Sequence, residues 1–190
     1  MKKANLLVAA LLVMSFAGGC GNTNQNTDAT PTTTTQQTQK TPLDIAYEKF
    51  EKVPMRASYD QVKQILGVDG VSTASNTIGN LTTEAFNFNV NGIRIYVQFQ
   101  NGELSMKQII GGYLCNKKIT LDQYNKIQNG MTYDQVKQIF DCDGSLNAVH
   151  QYSNGDKSMH VIWRNESGSY ATITFDANGN VKMKMQAGLH

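Results

Sequence analysis

The chain alternates apolar and polar residues in two stretches with the two-residue period of a half-buried β-strand. Every second position of 93–99 is Ile, Val or Phe, and every second position of 171–175 is Ala, Ile or Phe. The residues between them are Arg, Tyr, Gln and Thr. Because successive side chains of a strand point to opposite faces, this pattern predicts strands with one buried and one solvated face. Asn-Gly pairs at 91–92, 101–102 and 178–179 are typical of hairpin turns, so the strands should be antiparallel.

The C-terminal stretch shows the same alternation and predicts a last strand. Val181 and two methionines, Met183 and Met185, alternate there with Lys182 and Lys184. Because methionine is apolar and lysine is charged, we expect the methionines to lie in the core and the lysines to lie on the solvated face.

Apolar residues at helical spacing predict two short amphipathic helices. These residues are Val62, Ile65 and Leu66 in one helix and Val136, Ile139 and Phe140 in the other. Ser58 and Thr132 stand just before the helices, and each is followed three residues later by a glutamine, which is the spacing of a capping box. A further helix is expected before each of them, at about 43–51 and about 120–127.

The strongest single signal is a repeated heptapeptide. Residues 59–65 read Tyr-Asp-Gln-Val-Lys-Gln-Ile, and residues 133–139 read the same seven letters. A repeat of this length indicates that one supersecondary unit is used twice. Each unit is predicted as two helices followed by about four antiparallel strands, which is an α+β arrangement. The helices should cover one sheet face and leave the other face open.

The N-terminus predicts export from the cytoplasm. Lys2 and Lys3 are followed by an apolar run that is too short for a comfortable transmembrane helix, so residues 1–19 are interpreted as a signal peptide. Cys20 follows Ala-Gly-Gly, and this site resembles the lipobox of bacterial lipoproteins, in which the cysteine is lipidated. The alternative is ordinary secretion with cleavage at the same small residues. The resemblance implies a protein of the bacterial cell envelope, lipid-anchored on the extracytoplasmic side of a membrane.

The residues that follow Cys20 predict a tether. The segment 20–41 is rich in Thr, Asn and Gln and has almost no apolar residue to bury, so we expect it to be disordered. The net charge does not indicate a partner, because the excess of 17 Lys+Arg over 15 Asp+Glu disappears when Lys2 and Lys3 are removed with the signal peptide. No cluster of basic and aromatic residues is present, so the sequence does not favour nucleic acid as a partner.

The two remaining cysteines, Cys115 and Cys142, predict a disulfide, because the chain is expected to be exported. Closing that loop would contribute about 3.5 kcal/mol in the chain-entropy model. A metal or redox site is the poorer alternative, since neither cysteine has a Cys-x-x-Cys neighbour or a histidine at ligand spacing. His150, His160 and His190 are scattered and none belongs to a recognisable nucleophile motif. We therefore expect no catalytic residue, no metal, no cofactor and no enzymatic activity.

A family resemblance is carried by residues 119–136, which contain Gly130-Met131-Thr132 and, two residues further on, Gln-Val. This segment resembles the opening of a repeat in the β-lactamase inhibitory proteins (BLIP). The same Gly-Met-Thr signature opens outer-membrane-assembly lipoproteins of the SmpA/OmlA type, which carry one such unit. The resemblance implies two tandem repeats, at 42–113 and 114–190. Each is a helix-loop-helix plus about four antiparallel strands, and the two are joined into one curved sheet with a protein-binding open face.

The resemblance also defines the candidate partner-binding residues on that face. They are Arg94, Tyr96, Gln98, Tyr170, Thr172, Thr174, Lys182 and Lys184. The inhibitors insert an acidic residue from a hairpin tip of repeat one into the enzyme, whereas the matching tip here, 89–92, contains no Asp or Glu. A polar open face is also what any solvated sheet presents.

Three functions therefore remain open at the level of sequence. The first, which we favour, is a non-enzymatic lipoprotein that binds an unknown extracytoplasmic protein. The second is an inhibitor of a β-lactamase or another secreted hydrolase. The third is a lipoprotein with a role in envelope assembly or structure.

Overall fold

The computed structural model of the protein describes residues 40–190. The predictions for residues 1–39, which include the signal peptide, the lipidated Cys20 and nearly all of the tether, lie outside the described residues. Within residues 40–190, no helix has both the length and the apolar character needed to cross a membrane. The helices are Pro42–Lys52 (α1), Tyr59–Leu66 (α2), Leu121–Lys126 (α3) and Tyr133–Phe140 (α4).

Eight strands form one antiparallel sheet in which each strand lies beside its neighbour in sequence. The strands are Gly70–Ile78 (β1), Leu81–Val90 (β2), Ile93–Gln100 (β3), Glu103–Ile109 (β4), Ser145–Gln151 (β5), Lys157–Arg164 (β6), Tyr170–Phe175 (β7) and Val181–Ala187 (β8). Two helices precede the first four strands, and two precede the last four. The halves join where Met106–Gln108 of β4 pairs with Ala148–His150 of β5, so the sheet is continuous through its centre.

The helices begin and end where local sequence places their caps. Ser58 and Thr132 accept hydrogen bonds from the backbone N–H groups of the third helical residue of α2 and α4, and the glutamine there bonds back to the cap. The predicted capping boxes are therefore present. Both helices end at a residue in the left-handed region, Gly67 with φ 73° and Asp141 with φ 56°. A glycine meets no steric penalty in that conformation.

All four helices pack on the same face of the sheet. The first core lies between α1–α2 and β2–β4 and contains Phe50, Phe88 and Val97. The second lies between α3–α4 and β6–β8 and contains Trp163 and Ile173. The strand register carries the inward face from one core to the other through the central strands. The opposite face is left uncovered by helices, and we call it the open face.

A lysine in each half, buried at Lys107 and partly buried at Lys184, binds the C-terminal end of the first helix of that half. Lys107 Nζ donates to the carbonyl oxygens of Phe50 and Val53, both at 2.7 Å, and lies 4.6 Å from the centre of the Phe50 ring. Lys184 does the same in the second half, with acceptor distances of 3.0 Å to Tyr124 O and 2.8 Å to Ile127 O. Its Nζ lies 4.5 Å from the Tyr124 ring centre.

These contacts add a charged donor to carbonyl groups of the last helical turn and of the C-cap, and they place positive charge at the negative end of the helix dipole. Burial lowers the pKa of Lys107 to about 8, so the side chain is still mostly protonated at neutral pH. Because Lys184 points toward the helices, the prediction that it lies on the open face is wrong.

The segment between β4 and α3 is fixed to both halves. A disulfide joins Cys115 in this segment to Cys142 just after α4, with the two Cα atoms 5.9 Å apart. The disulfide predicted from the cysteine count is therefore present. Tyr113 donates a hydrogen bond of 2.7 Å from its hydroxyl to Asp44 of α1. Its ring lies 4.9 Å from that of Tyr47. The connecting segment thus contacts α1 and is covalently linked to the chain just after α4.

Candidate protein-binding surface

The open face is built from side chains that alternate with buried ones along the strands. On β3, Ile95, Val97 and Phe99 are buried, and the residues between them point the other way. On β7, Ala171, Ile173 and Phe175 are likewise buried. The strand pairing then defines the open-face residues that are used below. They are Arg94, Tyr96, Gln98, Met106, Gln108, Ala148, His150, His160, Ile162, Tyr170, Thr172, Thr174, Met183 and Met185.

Six of the eight predicted partner-binding residues lie on this face. Arg94 is exposed, and the other five are partly buried by their neighbours in the sheet. The six form two groups, Arg94–Tyr96–Gln98 on β3 and Tyr170–Thr172–Thr174 on β7, which are separated by the three central strands. That these residues contact a partner stays a prediction.

The prediction for β8 is wrong, and the reason is a β-bulge. Phe175 pairs with Val181, but Thr174 pairs with Met183, so Lys182 is an extra residue in the ladder. A bulge of one residue inverts the alternation beyond it. Met183 and Met185 therefore lie on the open face with 56% and 60% of their surface exposed, and neither belongs to the core.

The centre of the open face contains two neighbouring histidines whose proximity was not predicted from the sequence. His150 on β5 and His160 on β6 have ring centroids 5.0 Å apart, with the ring planes inclined at 48°. The register that the β5–β6 turn sets makes His160 the partner of Ala148 and His150 the partner of Ser158, so the two histidines are diagonal neighbours on adjacent strands. The contact could be predicted only from the register of this pair of strands.

Burial controls the electrostatics of this pair. It lowers the pKa of His150 below the ordinary value, and it lowers the pKa of His160 with a smaller contribution from the neighbouring His150. Both rings are therefore mainly neutral at pH 7. None of the residues named above is Asp or Glu, and the arginines of this face are Arg94 and Arg164, which pairs with Tyr170. The face is polar and weakly basic, with methionine, tyrosine and isoleucine interspersed.

The hairpin tip between β2 and β3 is closed by Asn91 and Gly92, which both have positive φ, as the predicted Asn-Gly turn requires. Asn89 stabilises the turn by accepting a 2.8 Å hydrogen bond from the backbone N–H of Gly92. The tip therefore presents amide groups and no carboxylate.

Several depressions lie at the ends of the sheet. One of about 840 Å³ lies between the β5–β6 and β7–β8 turns and is lined mainly by polar residues, among them Asp156, Asp176 and Lys182. Small-molecule sites are predominantly apolar with a few convergent polar groups, so this lining does not favour one.

Comparison with known proteins identifies a family from the sequence and a similar fold among solved structures. A model of the beta-lactamase inhibitor (BLIP) family matches residues 46–160, which is more than half of the chain. A Streptococcus mutans protein, provisionally described as a beta-lactamase inhibitor protein, has a similar crystal structure with a TM-score of 0.56. The similarity covers 75% of this chain and 95% of that chain at 20% sequence identity, so it concerns the fold alone. No curated protein matches the sequence.

Proposed function

The chain belongs to the beta-lactamase inhibitor (BLIP) family, and from this premise we propose that it is a non-enzymatic protein that binds a protein partner through its open face. The observation that carries the proposal is the uncovered side of a continuous eight-stranded sheet. A face of this kind can contact a partner over several strands at once. Within residues 40–190, the side chains of the open face offer contact groups rather than a catalytic centre.

The residue types on the open face support protein binding. Tyr96 and Tyr170 provide aromatic side chains, which often dominate the energy of protein interfaces. Met183 and Met185 are flexible and polarisable, so they can adapt to an irregular partner surface. Isolated exposed apolar residues are common on any protein, but these four share one face with the polar Arg94 and the two central histidines.

The family suggests a secreted β-lactamase as the first partner to test. The hairpin tip of this chain has no carboxylate, so an inhibitory contact would have to use other open-face groups, such as Arg94 and Tyr96. An inhibitor of another secreted hydrolase is the corresponding alternative. A role in envelope assembly is a further alternative, based on the resemblance of the Gly-Met-Thr segment to SmpA/OmlA-type lipoproteins.

The proposal includes an internal duplication of one unit, here 42–113 and 114–190. It is supported by the repeated heptapeptide, and also by matched contacts inside and outside that segment. Tyr59 and Tyr133 each accept a hydrogen bond at the hydroxyl oxygen from a glycine N–H, at 3.1 and 3.2 Å. Lys107 and Lys184 cap corresponding helices after corresponding bulges.

We further propose that the protein is anchored to the extracytoplasmic side of a membrane through a lipidated Cys20, with 20–41 as its tether. Several buried acyl chains, at about 0.8 kcal/mol per CH₂, would hold it there stably. Replacement of Cys20 by Ala should move the protein from the membrane fraction to the soluble fraction. Membrane retention of that variant would place the anchor elsewhere.

Binding is tested by titrating the purified protein against a panel of class A β-lactamases while recording complex formation and substrate hydrolysis together. Thr172→Glu introduces a charge on the open face, and Gln64→Glu introduces the same charge on the exposed side of α2 as the matched control. Sub-micromolar binding that only Thr172→Glu weakens supports the proposal and identifies the enzyme class. Binding that both variants weaken equally, or that only the control weakens, contradicts the use of the open face. No binding to any enzyme removes the β-lactamase alternative.

A further inference from the structure

The two central histidines have the separation expected of ligands to one metal ion. Their ring centroids are 5.0 Å apart. An imidazole nitrogen binds a first-row metal at about 2.0–2.1 Å, which places the ion about 3.2 Å from the ring centre. Two such rings at ligand angles of about 90–110° would have centroids about 4.5–5.3 Å apart. The observed separation lies within this range without any movement of the strands.

The hydrogen bonding of the pair leaves suitable nitrogens available. His160 Nδ1 lies 3.3 Å from Thr174 Oγ1, which can fix the ring orientation and leave Nε2 free. Metal-binding histidines commonly use their second nitrogen in this way. His150 stacks on Tyr152, with centroids 6.5 Å apart and ring planes inclined at 18°. Burial favours the neutral imidazole in both residues, and neutral imidazole is the form that binds metals.

Thioether groups flank the two imidazoles on the same face. Met106 of β4 is directly opposite His150 of β5, and Met183 of β8 is opposite Thr174, the neighbour of His160. Within residues 40–190 there is no group of three or more His, Cys, Asp and Glu residues suited to a metal ion. A site here would therefore combine imidazole with thioether rather than with carboxylate or thiolate. Among common metals, copper accepts this pair of ligand types best.

We propose that His150 and His160 bind a copper(I) ion at the centre of the open face, with Met106 as the adjacent thioether ligand. The site uses residues of β4, β5 and β6, so it exists only in the folded sheet. It does not depend on the proposed protein partner, because the ligands all come from this chain.

The test is a copper(I) titration of the full-length chain under anaerobic conditions, in competition with a chromophoric copper(I) chelator. The protein carries Cys20→Ser, so that no unmodified thiol competes. We expect one equivalent to bind, and His150→Gln or His160→Gln to weaken binding by at least about tenfold, since each removes one direct ligand. Met106→Leu, which keeps the side-chain volume, should weaken it by a smaller factor. His190→Gln is the matched control and should leave the affinity unchanged.

Circular dichroism of each variant establishes that a lost affinity does not reflect unfolding. Proton NMR gives an independent readout, in which the ring resonances of His150 and His160 shift with copper while those of His190 do not. Failure of the chain to take copper(I) from the chelator at micromolar protein overturns the proposal. So does an equal effect of His190→Gln. Zinc binding that is as tight as copper(I) binding and indifferent to Met106→Leu would contradict the thioether ligand and the choice of metal.

Discussion

Replacing Lys107 with methionine tests how the helices are fixed to the sheet. Methionine retains the length and apolar stem of lysine but removes the donor that contacts Phe50 O and Val53 O at 2.7 Å. Phe50 O keeps a second partner, the backbone N–H of Val53 at 3.3 Å. The main loss therefore falls on the carbonyl of Val53, together with the charge at the helix end.

The magnitude follows from opposing effects. A hydrogen bond to a charged group contributes about 1.5–3 kcal/mol, and a cation at a partly buried helix C-terminus up to about 2 kcal/mol. The variant recovers part of this, because methionine does not have to be desolvated. We expect Lys107→Met to lower the free energy of unfolding by about 3 kcal/mol, or about 6–12 °C in Tm for a body of this size. Lys184→Met should cost about half as much, because Lys184 is less buried.

The assay is urea denaturation followed by tryptophan fluorescence, since Trp163 lies in the second core, with circular dichroism reporting on the first. Lys52→Met is the matched control, because Lys52 lies in the exposed last turn of the same helix. It should change the stability by less than about 0.5 kcal/mol. A Lys107→Met protein as stable as the wild type, or more stable, would show that desolvation outweighs the capping contacts and would refute the reasoning.

Three further predictions follow from specific contacts. Gly144→Ala should destabilise the protein by about 1–3 kcal/mol or prevent folding, because the new Cβ would lie 2.5 Å from Val161 Cγ1 and 2.6 Å from Trp163 Cε2; an unchanged Tm would contradict this packing. Thr132→Ala should lower the unfolding free energy by about 1 kcal/mol, since it removes a helix N-cap. Denaturant titration measures this change, and an unchanged unfolding free energy would contradict the capping role of Thr132. Because burial lowers the pKa of His160, the unfolded chain binds more protons below pH 6.5 and stability falls there. His160→Gln should reduce that loss between pH 6.5 and 5, and an unchanged pH profile would exclude this residue as a cause.

Local features were predictable from sequence because their causes are local. Ser58 and Thr132 act as caps through hydrogen bonds to residues three positions away, so the spacing alone identifies them. The burial of Ile95 and Ile173 follows from strict alternation along uninterrupted strands. The disulfide followed from an even number of cysteines once Cys20 was assigned to the lipid anchor.

Features that depend on strand register could not be predicted in the same way. The bulge at Lys182 moves Met183 and Met185 to the open face and turns Lys184 toward the helices, and nothing in the alternation of 181–186 marks the bulge. The contact of His150 with His160 likewise depends on the pairing of His150 with Ser158 and of Ala148 with His160 in β5 and β6. The contact of a lysine with the end of a helix more than fifty residues away could not be predicted either, because the carbonyls at a helix end have no sequence signature.

The central claim is that the open face contacts a protein, and site-specific photo-crosslinking in intact producing cells tests it most directly. A photoreactive phenylalanine analogue would replace Tyr96 on the open face in one strain and Gln64 on α2 in another, with equal expression in both. The account predicts a discrete covalent adduct to one protein from position 96, which Thr172→Glu in the same chain abolishes, and none of that adduct from position 64. The same adduct from both positions, or from position 64 alone, would contradict binding through the open face.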